Sequence, residues 1–250
     1  MNPTGKTALI TGGAHRVGKA ITLALAQAGA NVVINYNTSA KAAAAVAALV
    51  QAMGVEALVV QANIADLPQV DAMVAAAKER FGGIDILVNS ASLWLETPFP
   101  TKDVTAWHRV TDIAIHGSFY CANTVAPLLL EKDEGAIVNI VDLSAWEPWP
   151  NFMAHSVGKA ALLALSRQLA LELAPTVRVN AVAPGPVLPP PDYDQEKIVR
   201  TAHKTLLDHW GSPEDVAEAV LFFIKAKYVT GEVLAVDGGE RFGHRKLEHG

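Results

Sequence analysis

Short apolar runs, many of them β-branched, alternate along the chain with longer stretches in which apolar positions recur every three or four residues. The runs at residues 6–10, 31–36, 57–61, 84–88, 136–141, 178–182 and 233–236 are predicted to be strands. The stretches 17–28, 40–53, 68–81, 104–130, 153–173 and 213–224 carry helical periodicity. Gly29, Gly54 and Gly82 follow the first three helical stretches, where a glycine commonly ends a helix. Strands that are almost continuously apolar and alternate with helices predict an α/β architecture: a seven-stranded parallel sheet with helices on both faces. No low-complexity or linker composition divides the chain, so residues 1–243 are expected to form one domain, followed by a polar tail at 244–250. The alanine-rich run at 42–48 reads as helix propensity rather than as a repeat.

In a sheet of this kind ligands bind outside the carboxyl ends of the strands. Asp142 ends the fifth predicted strand. After a loop rich in Trp and Pro, His155 and Lys159 follow on one face of the next helix, four residues apart. A carboxylate, an imidazole and an amine aimed at one point make a proton-transfer site. Taken singly, each has a plain structural reading. Other segments strengthen the chemical one. The first strand runs into Thr11-Gly12-Gly13-Ala14-His15-Arg16-Val17-Gly18, a glycine turn whose backbone and following helix N-terminus suit a phosphate. The second strand ends in Asn37, Thr38 and Ser39 with no carboxylate, which favours a 2′-phosphate held with Arg16 over a free ribose hydroxyl. Residues 186–210 are Pro-rich and irregular before a weak helix, the form expected of a substrate lid.

Composition narrows the class. The 250 residues are 51% hydrophobic and 18% charged, enough apolar material for a large core and for burial against copies of the chain. The net charge of −5 leaves no basic footprint for nucleic acid. No uninterrupted run reaches the length of a membrane span. The N-terminal stretch enters a strand without a signal peptide's apolar segment, and the single Cys121 suits a reducing compartment, so a cytoplasmic location is expected.

In this order the glycine turn at 11–18, Asn89-Ser90-Ala91, Lys159 with its helix, Pro184-Gly185, and Thr230-Gly231 through Asp237-Gly238-Gly239 resemble the short-chain dehydrogenase/reductase family over essentially the whole chain. Within that family the chain is most similar to pteridine reductases. Those proteins carry Arg where this chain has Arg16, and Asp thirteen residues before the catalytic tyrosine, where this chain has Asp142. The segment AKYVTGEVLAVDGG is similar to that subgroup too. Two positions depart from the family: the catalytic tyrosine falls on His155, and the tetrad asparagine falls on Ala114, with Gly117 as the glycine of its motif.

The resemblance implies a Rossmann fold, NADP(H) as cofactor, no metal, a small-molecule substrate such as a pterin, and a homotetramer or homodimer. Catalysis would fall to Asp142, His155 and Lys159. The implied cofactor residues are Gly12, His15, Arg16, Val17, Asn37, Thr38, Ser39, Asn63, Ile64, Asn89, Ser90, Ala91, Lys159, Pro184, Gly185 and Val187. Arg16, Trp94, Asp142, Trp146 and Pro186 are the expected substrate contacts, with Asp142 facing the ring nitrogens of a pterin. Hydride transfer to a C=N or C=O carbon needs a proton for the heteroatom, and an Asp142–His155 pair is the expected donor. Two further readings stay open at this level: a dinucleotide-binding protein with little turnover, and a carbonyl reductase or alcohol dehydrogenase with another substrate.

Overall fold

The structure is a computed structural model that describes residues 1–132, 134–190 and 193–246. Its strands are β1 (Thr7–Thr11), β2 (Asn31–Tyr36), β3 (Ala57–Gln61), β4 (Ile86–Asn89), β5 (Gly135–Ile140), β6 (Val177–Pro184) and β7 (Val233–Val236). They form one parallel sheet in the order β3-β2-β1-β4-β5-β6-β7, so the winding direction reverses between β1 and β4. The expected single-domain Rossmann fold is present.

The side-chain period of two explains why the strands are apolar on both faces. Ala8 and Ile10 of β1, Val32 and Ile34 of β2, and Ile86 and Val88 of β4 enter one core. There they meet α1 (Arg16–Gln27), α2 (Ala40–Ala52) and α8 (Pro213–Lys225). The alternate residues Leu9, Val33, Leu87 and Ile137 enter the opposite core, packed by α3 (Leu67–Phe81), α5 (Ser118–Leu130) and α6 (Met153–Glu172). Cys121 lies in that second core, where burial pushes its thiol up to about 12 and leaves it unreactive at neutral pH.

The helical stretch Thr105–Leu130 is long and apolar enough to cross a membrane, but Cys121, Val125 and Leu129 on it are buried against the sheet. It is also not one regular helix. The first part, α4 (Thr105–Thr111), passes through a π-helical stretch, Asp112–Gly117, before α5 begins. Small residues on that stretch permit close packing. A β-carbon added to Gly117 would lie 2.7 Å from Ile64, and one added to Gly158 of α6 would lie 2.7 Å from Ala114. The 186–210 segment contains α7 (Gln195–Ala202), which the sequence shows only weakly because none of its residues is buried. Of the polar tail, residues 247–250 lie outside the described residues.

Candidate active site

At the carboxyl edge of the sheet, around the β1/β4 reversal, a cleft of about 880 Å³ opens. The glycine turn floors one end of it. Thr11 Oγ1 accepts the N–H groups of Ser90 and Ala91, tying the ends of β1 and β4 together. Gly12 N–H donates to Asn35 Oδ1 at 3.3 Å and Gly13 N–H to the Asn35 carbonyl at 3.1 Å, so β2 fixes the turn. His15 precedes α1 without giving a side-chain cap, which leaves the first N–H groups of the helix facing the cleft with no capping partner. A β-carbon at Gly18 would stand 2.3 Å from the Gly12 carbonyl oxygen, and one at Gly12 would stand 3.0 Å from Ala91 Cα. A close-packed, side-chain-free turn beneath an uncapped helix N-terminus fits the pyrophosphate of a dinucleotide.

Fifteen of the sixteen residues expected to hold a cofactor line this cleft: Gly12, His15, Arg16, Val17, Asn37, Thr38, Ser39, Asn63, Ile64, Ser90, Ala91, Lys159, Pro184, Gly185 and Val187. Asn89 does not. It lies inside the sheet, its amide donating to Asn139 Oδ1 at 2.9 Å, because side chains alternate along β4 and Ser90 is the first to clear the strand end. Arg16, in the left-handed backbone region at φ 47°, reaches across the opening and donates to the Leu188 carbonyl at 2.9 Å.

At the other end of the cleft Asp142, His155 and Lys159 converge. His155 Nε2 and Asp142 Oδ2 are 2.5 Å apart. The second carboxylate oxygen accepts from the Ser144 backbone N–H at 2.9 Å and from Ser144 Oγ at 2.5 Å. Both Asp142 oxygens are therefore engaged by the protein. One of them holds His155, and Asp142 lines the cleft as expected. Burial pushes the Asp142 carboxyl upward, but the His155 hydrogen bond, the Lys159 cation and Ser144 outweigh it, and the net shift is below the ordinary carboxylate range. Lys159 is buried and donates to the Ile140 carbonyl at 2.8 Å; burial holds its pKa below the usual lysine value, with Asp142 partly opposing. His155 Nδ1 makes no hydrogen bond within the described residues.

The depressed Asp142 value has a consequence for stability. A carboxyl whose folded pKa lies below its unfolded one contributes stability above the unfolded value of about 3.9, and that contribution is lost as pH falls through the lower folded value. Asp142→Asn is therefore expected to lower the melting temperature at pH 7, with the gap to wild type closing only below about pH 4. A constant gap in thermal melts from pH 7 to pH 3 would contradict this.

Aromatic side chains wall the site. Trp94 stacks on Phe152 at 4.2 Å between centroids and meets the His155 ring edge-on at 4.8 Å, while Trp149 lies parallel to that ring at 6.0 Å. A bridge between Thr97 and Phe152, with Ala154 N–H donating to Thr97 Oγ1, pins the loop after β4 to the start of α6 and so brings Trp94 in. Trp94 and Pro186 line the cleft as expected, but Trp146 does not. The short 3-10 turn at Leu143–Ala145 carries Trp146 to a separate cavity of about 250 Å³, beside Leu143, Glu147, Arg241 and Phe242. Trp149, Phe152, Tyr193, Trp210 and Glu240 line the main cleft and were not singled out as site residues from the sequence. The stretch expected as a lid supplies one of its walls.

The chain was compared with known proteins. A family model described as "Enoyl-(Acyl carrier protein) reductase" matches residues 12–240. A 3-oxoacyl-[acyl-carrier-protein] reductase of Synechocystis sp. is 36% identical over 94% of this chain and 97% of its own length. A 3beta-hydroxysteroid dehydrogenase of Eggerthella lenta is 35% identical over 94% of this chain and 93% of its own length. Among solved structures, a blue fluorescent protein from a metagenomic library in complex with NADPH superposes with a TM-score of 0.88 at 31% identity, covering 96% of this chain and 99% of that one.

Proposed function

The chain belongs to the short-chain dehydrogenase/reductase family, and from that premise we propose that it is an NADPH-dependent reductase of a C=N or C=O bond in a flat ring compound, pteridine-reductase-like in its chemistry. The observation that carries this reading is the 2.5 Å His155–Asp142 contact inside a cleft walled by Trp94, Trp149 and Phe152. Bound NADPH would supply a hydride from its nicotinamide ring.

The chain's residues supply the rest. His15 and Arg16, with Asn37, Thr38 and Ser39, offer donors and no carboxylate at the end of β2, the environment that suits a ribose 2′-phosphate. Lys159, anchored on the Ile140 carbonyl, would hold the ribose of the nicotinamide half. Ionised Asp142 accepts from His155 Nε2–H, so the proton that His155 passes to the substrate heteroatom travels through Nδ1. In this reading His155 stands where the family's tyrosine stands. His155 would give its proton to the substrate oxygen or nitrogen and take another from solvent. Ser144 keeps the Asp142 carboxylate in the orientation that this requires.

A ketone substrate is the second reading. It is favoured by relatives named for oxoacyl and hydroxysteroid substrates. One experiment tests both: NADPH binding followed by its fluorescence, then NADPH oxidation with dihydropterins, ring ketones and a 3-oxoacyl thioester. NADPH is expected to bind more tightly than NADH, and a dihydropterin is expected to be turned over. Binding without oxidation across the whole panel would replace the enzyme with a dinucleotide-binding protein.

A further inference from the structure

Glu240 follows Asp237-Gly238-Gly239, the turn that leaves β7. Gly238 and Gly239 both have positive φ, and the Glu240 N–H donates back to the Asp237 carbonyl at 3.0 Å, so the chain folds over the strand ends. The Glu240 carboxylate lands beside Gly185, where an added β-carbon would be 3.3 Å from Oε2. There it lines the cleft, half-buried. Among the described residues it makes no hydrogen bond and no ion pair within 4 Å. Burial raises its pKa, Lys204 draws it back, and Asp237 and Glu147 push it further up, so its surroundings do not satisfy the charge.

The sheet register and the contact with Gly185 together place the carboxylate relative to the reacting end. Val182 of β6 pairs with Ile140 of β5, and Pro184 pairs with Val236 of β7, so Asp142, Pro184 and Val236 finish neighbouring strands. Gly185 follows the end of β6, the strand next to β5, so the carboxylate beside it stands between one and two strand spacings from Asp142, roughly 5–10 Å, within the length of a fused two-ring molecule.

We propose that Glu240 is a specificity residue of this cleft, accepting from an N–H-bearing edge of the substrate ring whose reducible bond lies at His155. A carboxylate matches two adjacent N–H donors as a fork, and a ring without them leaves the carboxylate unpaired. The inference rests on the reductase reading only for the placement of the reducible bond.

The test is equilibrium binding by calorimetry in the presence of NADP⁺, with 7,8-dihydropterin and its 2-desamino analogue as probes. Wild type is expected to prefer the amino compound by roughly 10- to 100-fold, the worth of hydrogen bonds to one charged group. Glu240→Gln is expected to lose most of that preference, with NADPH affinity within about two-fold of wild type and a melting temperature at neutral pH no lower than wild type, since the unsatisfied charge is gone. Glu240→Ala should behave like it. An unchanged preference in the variants, no preference in wild type, no binding of either ring, or a parallel loss of NADPH affinity would each overturn the proposal. Selective binding without NADPH oxidation would sink the reductase reading and leave Glu240 standing. Oxidation without selectivity would do the reverse.

Discussion

His155→Ala is expected to lower kcat for NADPH-dependent reduction by about 10²- to 10⁴-fold, the usual worth of a positioned proton donor. The effect should fall on kcat rather than on NADPH affinity, which should stay within about two-fold of wild type. The imidazole lies at the substrate end of the cleft, bonded to Asp142 and flanked by Trp94 and Trp149, while the glycine turn and the end of β2 are untouched by the change. His155 is only 4% exposed, so removing the ring leaves a cavity and an Asp142 oxygen without its partner. Some stability is therefore lost with the activity, and the two are separated by measuring single-turnover NADPH oxidation on protein shown to be folded by NADPH fluorescence. Wild-type turnover in His155→Ala would remove the imidazole from the mechanism. Asp142→Asn should share much of the loss, because an amide no longer forces the hydrogen onto Nε2 and so no longer fixes which nitrogen serves the substrate.

The strands at 31–36, 57–61 and 233–236 were legible from their short β-branched apolar runs, although β3 and β7 are sheet edges, β3 only half-buried and Leu234 of β7 exposed. At β4 the reading began two residues early. Asp85 interrupts the run with a carboxylate that accepts from the Thr7 N–H and the Lys132 ammonium, which makes it an anchor before the strand rather than part of it. The π-helical stretch within 105–130 leaves no periodic mark, since Ala114 and Gly117 are chosen for contacts to Gly158 and Ile64 that lie elsewhere in the sequence. The Asp142–His155 pair was legible from a strand end and a helix start separated by one loop. The choice between Trp146 and Trp149 was not, because the 3-10 turn after Asp142 reverses which of the two faces the cleft. Glu240 gave no signal at all: it comes to the cleft only through the β6–β7 register and two positive-φ glycines.

Gly18→Ala tests the other end of the cleft, and here the expected loss is in cofactor affinity. An alanine β-carbon would stand 2.3 Å from the Gly12 carbonyl oxygen and 3.0 Å from its carbon, with Ser90 Oγ at 3.3 Å, so the backbone must move. It has little room to do so. Gly12 sits at φ 63° with its N–H on Asn35 Oδ1, Gly13 N–H is on the Asn35 carbonyl, and the Gly13 carbonyl accepts from Thr22 Oγ1 at 3.0 Å. Relieving the clash means breaking part of this set or tilting α1, and overpacking of this kind costs about 1–3 kcal/mol. Because the displaced groups are the ones that would cradle the pyrophosphate, the same strain should weaken NADPH binding by roughly 10- to 100-fold, alongside a lower melting temperature. Gly54→Ala is the control. Its φ of 85° strains any side chain, but nothing lies within 4 Å of the added carbon and the cleft is remote, so it should lose stability by about 1 kcal/mol and keep its affinity. If Gly18→Ala bound NADPH as wild type does, or if the two variants weakened it alike, the glycine turn would not be the dinucleotide's cradle.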